Sequence, residues 1–458
     1  MKHVKSSALR KAGLFLFWMV LPAAAFPFWG DKKGVEPGLK SRPDILFFGG
    51  FESDPWTNAW GMAWGPDPSA HGKITTDPNA FDGHSLQVLY PQGTIGGEGG
   101  FQFLTDFSKF PIEPKESLYF RYYVRFEPGF DFVKGGKLPG LAGGAANTGG
   151  HKPNGTDGWS ARVMWRGDGK IVQYVYHPDQ SGEYGEDFDW NKGGCPRFFT
   201  PGKWQCLETY VKMNSPGKKD GVIRSWLDGE PALEVTHLRF RDTPSLKIDK
   251  MYFDTFFGGG DPSWATPRDQ TAQFDNFVMA KNYIGPDQNI SPKGEPTATA
   301  SSEDGETKGL VLFDGDHPAW ETSGWSDGKY DFKSPTQNHT VGGKGSAWIR
   351  LPEGAWGGAQ FAGPENRAND FKTISMWVFP TGCDVEYRVR FELNGSQTGI
   401  EKIVTAGPRH GWRVNQWNRV ELSLAEFLMP GSFNRLVLTS NSAKAVSSFY
   451  VDDIGLNN

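Results

Sequence analysis

Five residues in one stretch of the chain have the types that proton transfer beside an anion requires: Lys137, Ser160, Arg162, Tyr174 and Tyr176. The last four fall in two alternating runs, 159–166 and 170–177, separated by Gly167, Asp168 and Gly169. That spacing predicts a hairpin whose three-residue loop ends on a glycine able to take the left-handed position. Closing the loop on 167–169 sets Arg166 opposite Lys170, Met164 opposite Val172, Arg162 opposite Tyr174 and Ser160 opposite Tyr176. A two-residue loop would slip the register by one and carry the tyrosines to the face away from Arg162. In the first register the serine, the arginine and both tyrosines share a face. Trp159, Ala161, Val163, Trp165, Ile171 and Val175 make the other face a core face. The polar face needs water or a polar ligand, because an unpaired buried guanidinium costs on the order of several kcal/mol.

Just upstream, Val133 to Gly144 sets Lys134 and Lys137 among glycines, which predicts a mobile basic loop. It is not a phosphate-binding loop: the Gly-Lys pair is followed by Leu138, and the required glycine spacing is missing. Lys134 and Lys137, with Arg166 and with His151 in the next glycine-rich loop, would suit an anionic polymer. His177 falls on the face opposite Tyr176 and is a lesser candidate.

These residues resemble polysaccharide lyase family 14, the alginate and related polyuronate lyases. The likeness lies in Lys137 of the Lys134–Pro139 run, Ser160 and Arg162 of the Trp159–Arg162 run, and the pair Tyr174 and Tyr176, and spans roughly residues 45–285. The resemblance implies a β-jelly-roll catalytic domain whose cleft is lined by Lys137, Ser160, Arg162, Tyr174 and Tyr176. The chemistry fits those types. β-Elimination removes a weakly acidic C5 proton beside a charged carboxylate, so that charge must be neutralised. Arg162 would hold the carboxylate bidentately and Lys137 would add a second positive charge. Tyr174 and Tyr176 would be the proton-transfer pair once nearby cations lower their pKa, with Ser160 orienting one of them or the carboxylate. A neutral Lys137 is the rival base.

Glu183 to Asp189 is the one other acidic constellation, reading as a solvated loop that would serve a glycosidase carboxylate pair or a structural calcium. No cofactor is otherwise implied. A net charge of -5 argues against nucleic acid as a partner. The expected partner is an acidic polysaccharide, bound by a monomer. The rival functions are a non-catalytic polysaccharide-binding or matrix protein and a glycoside hydrolase on a sandwich fold.

The elements that must position these residues are strands. Abundant glycine (59) and proline (32), with 14% aromatics, favour many short strands and tight turns, hence an all-β chain. Residues 1–25, with Lys2, Lys5, Arg10 and Lys11 before the apolar Leu14–Leu21 and the small Ala23 and Ala25, read as a signal peptide and predict a secreted or periplasmic protein. That apolar run is shorter than the roughly 20 residues a membrane span needs. Residues 45–286 form the expected β-jelly-roll or sandwich domain and the Ser-, Thr- and Pro-rich 287–308 a linker. Residues 309–457 form a smaller β-sandwich, resembling galactose-binding-like carbohydrate-binding modules in its strands and its Tyr450–Ile454 ending. There Trp320, Trp325, Trp356 and Trp412 would either pack in the core or stack on sugars. Cys195 and Cys206 flank a Pro-Gly turn and are expected to form a disulfide, leaving Cys383 alone.

Overall fold

Along a strand successive side chains point to opposite faces, so alternating sequences pair sheets face to face around a shared core. The chain does this twice. The computed structural model describes residues 29–30, 34–52, 56–60, 62–64, 71–76, 83–109, 112–287, 309–314, 320–325, 329–334, 345–351, 357–383, 385–406, 414, 416–440 and 447–458. Its regular elements are β-strands and short 3-10 turns. The expected leader and all but the first residue of the expected linker lie outside the described residues, as do Trp356 and Trp412.

In the first unit a nine-stranded sheet, centred on Gln270–Ala280, Ser117–Phe126, Gln205–Lys212 and Gly221–Leu227, packs on a seven-stranded sheet. The second sheet runs in the order Glu186–Asp189, Ile171–Tyr176, Gly158–Arg166, Gly135–Gly144, Lys250–Phe257, Gly100–Asp106, Met62–Trp64. Phe120, Tyr122, Val124 and Phe126 from one sheet meet Phe103, Trp159, Val163, Trp165 and Phe253 from the other in one buried cluster. Gln173 crosses this core: its amide donates to the Arg162 carbonyl and accepts from Thr209 and Ser225 of the opposite sheet. The hairpin bearing the candidate site is thereby tied to the layer beneath it. At Asp228 and Gly229, both with positive φ, a two-residue turn joins Gly221–Leu227 to Glu230–Leu238.

The second unit pairs a six-stranded with a five-stranded sheet around its own core, from Leu312 to Leu456. Trp320 packs in that core, the first of the two roles open to these tryptophans, whereas the ring of Trp325 lies over Gly358 and is partly exposed.

The cysteines correct the sequence reading. Cys195 is bonded to Cys383, with Cα atoms 5.2 Å apart, and Cys206 is free and buried. Cys195 lies on a two-stranded ribbon with Asn191–Lys192, while Cys206 stands opposite Tyr123 on the outer face of the nine-stranded sheet. Proximity in sequence therefore does not bring Cys195 and Cys206 together, and the disulfide instead joins the two units. Burial pushes the Cys206 thiol well up from its ordinary range, which leaves it inert.

Candidate active site

The hairpin loop is Gly167–Gly169, with Asp168 and Gly169 both at positive φ. Arg162 stands opposite Tyr174 and Ser160 opposite Tyr176. Trp159, Ala161, Val163, Trp165, Ile171 and Val175 enter the core, while Met164, Val172, Tyr174 and Tyr176 make a separate cluster on the other face. The tyrosines are thus not core residues, although Tyr176 is 1% and Tyr174 5% exposed. Two loops take up their surface. The backbone N–H of Gly150 donates to the Tyr176 hydroxyl (3.2 Å) and that of Gly185 to the Tyr174 hydroxyl (3.1 Å), with the two hydroxyls 3.5 Å apart. A Cβ on Gly185 would come within 3.0 Å of both rings, so only glycine closes this cover.

Lys137 is placed by a strand, not by the mobile loop its glycines suggest. Gly135–Gly144 is a central strand between Gly158–Arg166 and Lys250–Phe257, with a register irregularity at Pro139. The glycines there provide clearance: a Cβ on Gly136 would meet the Trp165 ring at 2.0 Å, and one on Gly140 the Ala161 carbonyl at 2.1 Å. Lys137 therefore sits at a fixed position between Met164 and Phe256, its ammonium 5.4 Å from the Tyr174 ring centre.

Arg162 is wholly buried, and both its terminal nitrogens are engaged: one pairs with Asp254, the other donates to Thr148 (2.6 Å). A bidentate grip on a substrate carboxylate, expected from the sequence, is not open to it in this arrangement. It acts instead as a fixed positive charge against the rings of Tyr174, Tyr176 and Tyr252, 5.6, 6.0 and 5.2 Å from their centres. Ser160 is likewise committed, donating to the Asn147 carbonyl at 2.6 Å, so it anchors the loop over the tyrosines rather than orienting a tyrosine directly. Arg166 forms a two-bond pair with Asp187 and lies 5.4 Å from the Tyr174 ring centre. Lys134 is exposed beside Ser263. His151 is exposed in the loop that contributes Gly150, and its backbone bonds Thr148. His177 pairs with Glu186 (2.8 Å).

Burial, reinforced by repulsion from Arg162, lowers the Lys137 ammonium to about 8. Burial, with the bond to Tyr176, drives Tyr174 well above its ordinary value, against the opposing pull of Arg162 and Arg166. Burial raises the Asp254 carboxyl too, offset by Arg162 and Lys137. The cations expected to acidify the tyrosine pair are thus present, but at Tyr174 burial outweighs them. This face can hold a neutral amine next to a protonated phenol at mildly alkaline pH.

Glu183 to Asp189 is not one solvated loop. Residues 186–189 form an edge strand on the hairpin, and its acids are all partnered: Glu186 with the His177 ring, Asp187 with Arg166, Asp189 with Lys170. They neutralise the rim rather than present a free carboxylate pair. Among the described residues no cluster of His, Cys, Asp or Glu is arranged to hold a metal ion.

Sequence reasoning missed Asp254, Tyr252, Thr148 and the two amides over the tyrosines. The available signal was Asp254 itself, an acid amid the apolar run Met251–Phe257. Its partner lies 92 residues away, and only strand order joins them.

Residues 78–277 match the family model described as polysaccharide lyase 14. No curated protein matches the sequence. Among solved structures the chain is similar to alginate lyase Aly36B, at 28% identity over 52% of this chain and 94% of that one, with a TM-score of 0.44. It is also similar to the marine PL-14 alginate lyase from Aplysia kurodai (29%, 47% and 87%, 0.40) and to alginate lyase vAL-1 from Chlorella virus (26%, 46% and 89%, 0.39). The first unit thus matches the polysaccharide lyase 14 model over residues 78–277, and the protein is a polysaccharide lyase.

Proposed function

We propose that the protein is an exported lyase that cleaves a uronate-containing polymer of the alginate or glucuronan type by β-elimination. The observation that carries this reading is the lowered Lys137 amine set beside a buried, protonated Tyr174 on one face with Arg162. Neutral Lys137 takes the C5 proton. The fixed charges of Arg162 and Arg166 stabilise the enolate-like anion that develops on the carboxylate. Tyr174, with Tyr176 at its hydroxyl, returns a proton to the glycosidic oxygen as the C4–O bond breaks. No resident cofactor enters these steps.

The same proposal divides the chain into a catalytic unit, 45–286, a linker, 287–308, and a carbohydrate-binding module, 309–457, that keeps a monomeric enzyme on its polymer. The partly exposed Trp325 supports the last part. The test is incubation with alginate, its mannuronate and guluronate blocks, and glucuronan while following the ultraviolet absorbance of unsaturated uronate. Appearance of that absorbance with one of them is expected. Retained binding with no absorbance from any polymer would refute the elimination reading, and reducing ends released without it would show hydrolysis.

A further inference from the structure

The loops over Tyr174 and Tyr176 cover one side of the catalytic face, whereas on the side of Lys137 both Phe256 and Lys137 are partly exposed. On that side lies an indole the core does not use. Trp264 ends a short turn, Pro262–Trp264, whose first backbone groups are capped by Asp261. It is partly exposed and stands outside the buried cluster that takes in Trp56, Trp60, Trp159, Trp165 and Trp190.

The backbone is shaped around this ring. A Cβ on Gly259 would sit 2.1 Å from the indole and one on Gly135 3.2 Å from it; a Cβ on neighbouring Gly258 would sit 3.1 Å from the Lys137 ammonium. Trp264 and Lys137 are therefore held by consecutive glycines of one loop. Beside the ring, Lys134 lies 5.9 Å from its centre and donates to the Ser263 hydroxyl, which in turn donates to Asp261. An ammonium has three donors, so Lys134 keeps two for another acceptor.

We propose that Trp264 and Lys134 form a uronate subsite, one sugar out from the reacting residue, in which the indole stacks on the pyranose face and Lys134 pairs with its carboxylate. An aromatic face suits the C–H side of a sugar, and a cation at its edge selects a charged sugar over a neutral one. The Asp261 carboxylate, satisfied by Ser263, fixes the hydroxyl that aims Lys134. The proposal rests on the reading of the protein as a uronate lyase.

The test compares the parent enzyme with Trp264→Ala, Trp264→Phe and Lys134→Ala on uronate oligomers of increasing length and on polymer. Trp264→Ala is expected to raise KM for polymer and longer oligomers roughly 2- to 10-fold, the range that aromatic stacking supports, with kcat retained and the shortest cleaved oligomer unaffected. Trp264→Phe recovers part of the loss. Lys134→Ala raises KM at low salt and the difference fades at high salt. Folded variants whose KM for polymer is unchanged, or whose loss is the same at every length, overturn the subsite. If the parent enzyme yields no unsaturated product from any uronate polymer, the lyase reading fails separately. The subsite is then judged by migration in alginate-containing native gels, where Trp264→Ala must be retarded less than the parent, and equal retardation overturns it.

Discussion

Replacing Arg162 by Ala would ordinarily be taken as a clean probe of catalysis, but the structure predicts that it also destabilises the fold. Arg162 and Asp254 are a pair with side chains about equally inaccessible, at 1% exposure each, and one Asp254 oxygen already has no partner. Removing the arginine leaves a buried carboxylate without its hydrogen-bonded ion-pair partner, which costs about 3–5 kcal/mol. For a unit of this size each kcal/mol moves the thermal midpoint by about 2–4 °C, giving a drop of about 6–20 °C. Arg162→Ala/Asp254→Asn carries the same cavity but no stranded charge, and is expected to regain about 2–3 kcal/mol, short of complete because a buried amide remains imperfectly bonded. The sign with pH follows from the carboxyl, whose folded pKa is raised above the ordinary 3.8. In the single variant that shift is larger. The deficit is absent below the unfolded value, grows as pH rises through the folded one, and is constant above it. Thermal and denaturant unfolding of the parent, single and double variants between acidic and neutral pH measures all of this. Equal stability of single and double variants across that range would refute the reasoning, and with it the view that Asp254 holds the arginine in place.

With Lys137 as base, kcat/KM should rise with pH through about 8, because the ammonium is inactive below its pKa. It should show no falling limb up to about pH 10, since Tyr174 keeps its proton; a decline between about pH 8 and 10 would contradict the assignment. Lys137→Met should abolish turnover while leaving the thermal midpoint unchanged or higher, because the ammonium is held at a desolvation cost. Tyr174→Phe should lower kcat by about 10²- to 10⁴-fold, the range for a positioned proton donor, with little change in the circular dichroism spectrum. Peptide mapping of the oxidised protein should recover Cys195 linked to Cys383, and Cys383→Ser should lower stability by up to about 5 kcal/mol on the chain-entropy estimate for a 188-residue separation. Recovery of a Cys195–Cys206 peptide instead would reject the pairing.

The all-β character, the hairpin with its loop at 167–169, and the pairing of Arg162 with Tyr174 and Ser160 with Tyr176 are legible in the residue pattern alone. These follow from period-two alternation and a local turn, both of which act between near neighbours. Tertiary structure decided what those side chains can do. The glycines around Lys137 read as a flexible loop, yet they are the clearance a central strand needs where Trp165 and neighbouring backbone approach, which no local pattern reveals. Arg162 reads as free to bind a carboxylate because its partner comes from Lys250–Phe257, a strand remote in sequence and brought close by sheet order. The disulfide shows the same limit. Cys195 and Cys206 are close along the chain but on different layers, while Cys383 of the other unit is the one whose backbone comes within bonding reach. Burial, which lowers Lys137 and raises Tyr174, is likewise a property of the packed molecule and not of the residues in isolation.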